Sequence, residues 1–151
     1  MRVHRLTAVA HVFHYWDFIS EALASISDAV REPWDKDFVQ KTMVNLVVDQ
    51  EHVWIGVTID PLGVPLAFGV VQECTPEFDS VRYFVVRWFY HSPTKFEATL
   101  ALRDAFETWA KAHGIKRYAV TTRRSAGRAI QCFQSSRYGF KKAFLTFEKD
   151  L

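Results

Sequence analysis

Three guanidinium groups gather at Arg123, Arg124 and Arg128, where Thr122-Arg123-Arg124-Ser125 leads into a predicted short helix. Planar guanidinium forks suit a phosphate, so this cluster could hold a phosphorylated ligand or a nucleic-acid backbone. An exposed polar face after a strand would use the same residues. Ser92, Thr94 and Lys95 form a second anion candidate ahead of a long helix, offering hydroxyl donors and a positive charge at its N-terminus. Helix capping beside a solvated Lys95 accounts for them equally well. His11 and His14 are three residues apart on the first predicted helix and could present two metal ligands on one face, but no third ligand is evident. They also read as polar residues flanking core positions at Phe13 and Trp16. Trp34, Trp54 and Trp88, with Tyr83, Phe84, Phe89 and Tyr90, could stack on bases. Most of them fall in strands expected to be buried, which makes packing the better account.

These residues sit on a chain of 151 residues that is 49% hydrophobic and 15% aromatic, enough to fill one core, so a single domain over 1–151 is expected. The formal charge of +2, spread over both signs, argues against binding nucleic acid or a membrane through the overall field. Cys74 and Cys132 have neither zinc-site spacing nor disulfide-scaffold density, so both are expected to be reduced and buried. His4, His11, His14 and Asp17 interrupt any signal-peptide core, and no apolar run approaches 20 residues. A cytoplasmic protein follows as the expectation.

The elements can be placed by periodicity. Arg2 to Leu6 reads as an opening strand. Thr7 caps a helix with Val12, Trp16, Ile19, Leu23, Ile26 and Val30 as its apolar stripe, ending before Pro33. Asp35 opens a second helix that buries Phe38, Met43, Leu46 and Val47. Val53 to Ile59 and Val64 to Glu73 form an antiparallel hairpin around Asp60-Pro61-Leu62-Gly63. Val81 to His91 is a long central strand, with Val81, Tyr83, Val85, Arg87 and Phe89 on one face and Arg82, Phe84, Val86, Trp88 and Tyr90 on the other. Phe96, Leu100, Arg103, Phe106, Ala110 and His113 recur at helical spacing, and Gly114 ends that helix. Lys116 to Thr122 is a strand, Ser125 to Ser135 a short helix, and Lys141 to Lys149 a last strand after Tyr138-Gly139-Phe140.

This order resembles the GNAT superfamily of acetyl-coenzyme-A-dependent N-acetyltransferases over nearly the whole chain. Arg2-Val3-His4-Arg5-Leu6-Thr7 is similar to that family's first strand and cap, and Ala129, Phe133 and Gly139-Phe140 resemble its closing pattern. Thr121-Thr122-Arg123-Arg124 and Arg137-Tyr138-Gly139-Phe140-Lys141-Lys142 are especially similar to small GNAT-like proteins of tailed phages. The resemblance implies an α/β three-layer sandwich, with a mixed, mainly antiparallel sheet and helices on both faces.

It also implies acetyl-coenzyme A as cofactor and an amine as acceptor. The strand backbone at Trp88, Phe89, Tyr90 and His91 would bind the pantetheine arm. Ser92, Thr94 and Lys95 would meet the pyrophosphate, and Arg123, Arg124 and Arg128 the adenine-side phosphates. Glu73 or His91 would be the base, with both expected near the opening between strands, and imidazole titrates near 6.5 when unperturbed. The family's Gly-rich pyrophosphate turn is replaced here by His91-Ser92-Pro93-Thr94-Lys95-Phe96, which has no glycine. At the family's thiolate-protonating Tyr stands Phe133; Tyr138 is the nearest hydroxyl that could substitute as the acid, and aromatic packing beside Gly139 is its other reading. These departures suit a second reading, a GNAT-like phage protein that has lost the coenzyme and binds a virion or host protein. The edge at Ala143 to Phe147 could pair with a second copy of the chain.

Overall fold

The computed structural model describes residues 1–30, 33–74, 80–92 and 94–120, except the side chains of Ala29 and Val30. The order is β1 (Arg2–Arg5), α1 (Val9–His14), α2 (Trp16–Val30), α3 (Lys36–Val47), β2 (Val53–Ile59), β3 (Pro65–Cys74), β4 (Tyr83–His91), α4 (Phe96–Ala112) and β5 (Arg117–Val120). These residues lie in one compact unit, Met1–Thr121. Expectations for Val30, Cys132, the helix at 125–135, the strand at 141–149, the edge at 143–147 and the closing motif fall outside the described residues.

The local elements follow from local chemistry. Asp35 caps α3 as expected, its Oδ1 accepting from the Phe38 N–H at 3.0 Å. Asp60 folds the β2–β3 turn by accepting the N–H groups of Leu62 and Val64, both at 2.8 Å. Gly114, at φ 71°, lets the chain leave α4 through a left-handed residue. The first helix departs from expectation. Ala8 rather than Thr7 is its N-cap, with no side-chain cap, and the helix breaks at Tyr15 into α1 and α2. Thr7 instead donates its backbone N–H to His11 Nδ1 at 3.1 Å.

The strands run in the order β1-β2-β3-β4-β5, antiparallel except for the parallel β4–β5 pair. Helices cover both faces, so β2 is buried at every position. On one face Val12, Ile19 and Leu23 of α1 and α2 and Met43 and Val47 of α3 pack on Ile55, Val57, Phe68 and Val70. On the other, Ala98, Leu102, Phe106 and Ala110 of α4 pack on Trp54, Ala67, Val71 and Phe84. The result is a three-layer sandwich about a mixed sheet, as the sequence led us to expect.

Two glycines set how closely α4 approaches. A Cβ on Gly69 would lie 3.0 Å from Leu102 Cδ2, and one on Gly56 would lie 3.0 Å from Leu102 Cδ1. Leu102 therefore occupies the space that two absent side chains leave. This turns the buried stripe of α4 to Ala98, Thr99, Leu102, Phe106 and Ala110. Of the other residues that recur at helical spacing, Leu100 and Arg103 are partly buried and His113 is exposed. Phe13 and Phe38, also expected in the core, are 55% and 67% exposed. Cys74 is a free thiol, partly rather than fully buried. Among the described residues no helix is long and apolar enough to cross a membrane.

Candidate functional site

The candidate site residues Trp88 to His91 lie at the end of β4. Its ladder with β3 slips once: Val70 pairs with Trp88 and Val71 with Val86, leaving Arg87 as an extra residue. A bulge of this kind reverses which side chains face up. Before it, Phe84 and Val86 face α4; after it Phe89 does, while Trp88 and Tyr90 turn to the α1–α3 layer. The two uninterrupted faces expected for this strand are thus corrected. The single charge in an otherwise apolar run was the signal, since Arg87 is exposed beside a strand whose neighbours pack on both sides. Its guanidinium lies 4.8 Å from the Trp88 ring centroid, and Nη1 donates to Gln72 Oε1 at 2.8 Å.

The parallel β4–β5 ladder among the described residues runs from Tyr83–Arg117 to Val86–Val120. It reaches the residue before the bulge, and Trp88 to His91 lie beyond it. His91 follows Phe89 on the α4 side, with ring centroids 6.0 Å apart, and meets Phe96 edge-on at 6.4 Å. Its Nδ1–H donates to the Ser92 carbonyl at 2.9 Å. That carbonyl can only accept, so in neutral His91 the lone pair resides on Nε2.

The turn into α4 is tight. The Ser92 N–H donates to Leu66 O at 2.9 Å, the Lys95 N–H to Ser92 O at 3.0 Å and the Ala98 N–H to Lys95 O at 3.1 Å. Several backbone donors that could have met an anion are thereby committed. Lys95 is itself the N-cap, with no side-chain cap, which corrects the expectation of Ser92 or Thr94 in that place. Thr94 and Lys95 are exposed.

Glu73 lies elsewhere. β3 and β4 are antiparallel, so Glu73 pairs with Phe84 while His91 pairs with Ala67. The two candidate bases are therefore about 20 Å apart along the ladder, at roughly 3.3 Å per residue. The hairpin order alone could have revealed this, because β4 returns past the end of β3. The Glu73 carboxylate is gripped by Arg82, Nε to Oε1 at 2.9 Å and Nη2 to Oε2 at 3.0 Å, and lies 3.9 Å from His52 Nε2. The hydrogen bonds from Arg82 hold its pKa below the ordinary carboxylate value.

His11 and His14 lie beside His4 and Tyr15, respectively. His4 and Tyr15 share a hydrogen bond of 3.0 Å, and the His4 and His11 rings are 4.8 Å apart. Among the described residues no group of three or more His, Cys, Asp or Glu could hold a metal. Arg123, Arg124, Arg128 and Tyr138 lie outside the described residues.

Comparison with known proteins gives a one-sided result. No protein-family model matches the chain, and no curated protein resembles it in sequence. Solved structures do match. An aminoglycoside 6'-N-acetyltransferase from Acinetobacter haemolyticus superposes with a TM-score of 0.70 at 15% identity, over 100% of this chain and 99% of that one. A GNAT family acetyltransferase from Staphylococcus aureus gives 0.67 at 14% identity, over 100% of both chains. A possible acetyltransferase from Clostridium difficile gives 0.75 at 10% identity, over 99% of this chain and 97% of that one. The fold is that of the GNAT acetyltransferases. Identities this low carry the GNAT architecture alone, so the chemistry must be argued from this chain's own residues. Within the GNAT fold, the β4 bulge, the backbone beyond it and the turn into α4 follow one another along the chain.

Proposed function

We propose that this protein is an N-acetyltransferase that uses acetyl-coenzyme A and passes the acetyl group directly to an amine. The observation that carries the reading is the bulge at Arg87, which comes directly after the last β4–β5 pair among the described residues, Val86–Val120. The backbone of Trp88 to His91 that follows, paired with β3 on one side, would take the amide-bearing pantetheine arm. The turn fits the pyrophosphate through charge rather than through a glycine cradle. Lys95, exposed at the α4 N-terminus, supplies an ammonium where Ser92 and Lys95 have committed their N–H groups.

When bound, acetyl-coenzyme A supplies an acetyl group activated as a thioester. His91 is the base that this arrangement favours, because it stands at the turn and its Nδ1–H bond to Ser92 leaves Nε2 to accept a proton from the amine. Glu73 serves the opposite end, where its charge is neutralised by Arg82. Tyr138 remains the proposed acid for the departing thiolate, with Arg123, Arg124 and Arg128 proposed for the adenine-side phosphates.

Calorimetric titration with acetyl-coenzyme A and, separately, coenzyme A tests this reading. We expect micromolar binding of both, weakened about tenfold by Lys95→Ala, the loss of one charge-assisted contact. No heat at millimolar coenzyme would overturn the enzyme reading and redirect the search to a protein partner.

A further inference from the structure

At the opposite end of β4, the last turn of α4, the Gly114–Lys116 connection and the start of β5 enclose a cleft of about 500 Å³. Its floor is apolar, with Ala110 and Ile115 only 5% and 6% exposed. Its rim is basic: Lys111, Lys116 and Arg117 are exposed around it. Glu107 is the single acid in the lining, and its Oε1 already accepts the Tyr118 hydroxyl at 2.8 Å.

A helix C-terminus ordinarily repels anions because its last carbonyls are unpaired. Here three of the last four are satisfied. Trp109 O accepts from the His113 N–H at 3.1 Å, Ala110 O from the Ile115 N–H at 2.9 Å, and Lys111 O from the Gly114 N–H at 3.3 Å. The positive glycine φ makes this closure available, so those three carbonyls oppose the field of the lysines less than bare ones would.

We propose that this cleft binds a small organic anion, a phosphate or carboxylate carrying an apolar group that rests on Ala110 and Ile115 while Lys111 and Lys116 hold the charge. The site is separate from the coenzyme turn. Arg117 pairs with Tyr83, eight residues along β4 from His91 and so about 26 Å away.

Phenyl phosphate is the probe, titrated calorimetrically into the full chain at low salt, with inorganic phosphate and phenol as its separate halves. We expect saturable binding near millimolar, a typical yield for so few atoms, and weaker binding of either half. Lys111→Glu and Lys116→Glu should each weaken it about tenfold by charge reversal, while Lys95→Glu leaves it unchanged. Both charge reversals are at exposed positions, and circular dichroism checks that they fold. Three results overturn the proposal: no saturable binding, equal binding by the charge-reversed variants, or displacement by coenzyme A together with loss in Lys95→Glu. The last would assign the phosphate to the coenzyme turn.

Discussion

Arg82 grips Glu73 with two hydrogen bonds and, with the same guanidinium, reaches the carbonyls of Glu51 at 2.9 Å and His113 at 3.4 Å. One side chain thus fastens the end of β3 to the turn before β2 and to the end of α4. We expect Arg82→Ala to cost about 1 kcal/mol after solvent screening, because both partners are partly exposed. Thermal denaturation of the single variants and of the Arg82→Ala/Glu73→Gln double variant measures the pair; full additivity would show that the two do not interact.

The same pair predicts an acid limb. The pKa of Glu73 is lowered by folding, so its contribution is present above the unfolded value and is lost as pH falls through the folded one. Stability should decline as pH falls below about 4.3, the unperturbed glutamate value. Glu73→Gln should flatten that decline in denaturant titrations between pH 5 and pH 3; an unchanged slope would contradict the pairing.

Two histidines should titrate on opposite sides of the unperturbed value. His52 is raised, first by the hydrogen bond from its Nδ1–H to Asp49 Oδ1 at 2.8 Å, so what it stabilises is present at low pH and lost as pH rises through its folded pKa. His4 is lowered by burial, then by His11, Arg2 and His14, so its environment favours the neutral ring and loses stability as pH falls through the folded pKa. Imidazole NMR signals should give a His52 midpoint above that of His4. Asp49→Asn should bring the His52 midpoint down without moving that of His4.

Adding one methyl to either α4-facing glycine should produce unequal damage. A Cβ on Gly56 meets the Trp54 ring, with Cζ3 at 2.7 Å, and Leu102 at 3.0 Å, whereas on Gly69 the closest atom is Leu102 Cδ2 at 3.0 Å. A buried ring between sheet and helix has little room to move. We expect Gly56→Ala to cost about 3 kcal/mol and Gly69→Ala about 1 kcal/mol or less, since a leucine methyl can rotate aside. Equal melting temperatures for the two variants would refute the packing account.

If His91 accepts the proton of the amine, His91→Gln should lower kcat/KM about a hundredfold while leaving coenzyme A affinity nearly unchanged. Equal losses in both quantities would mean that His91 only shapes the turn.

Much of this arrangement was legible in the chain, for identifiable reasons. β2 begins and ends where its alternation does, at Val53 and Ile59, and Asp35 and Gly114 mark helix ends by chemistry that acts within a turn. What escaped depends on distant partners. Phe13 and Phe38 have the periodicity of core residues, yet each lies on the outer side of its helix. The rotation of α4 depends on two glycines that lie 33 and 46 residues from Leu102 in sequence. The site followed the same division: the tight turn after His91 was visible as a short polar run, but the slip at Arg87 is a property of two strands together.

That slip makes the last part of β4 a half-turned continuation of the first. Removing Arg87 alone would leave an unbroken two-residue rhythm with Trp88 and Tyr90 still toward α1–α3 and Phe89 toward α4, whereas straightening the ladder with Arg87 retained would exchange those faces. One inserted residue therefore acts as a switch of facing within a strand. It lets the two halves of β4 present different sets of side chains to the helical layers, so that a change after the slip need not repack the residues before it.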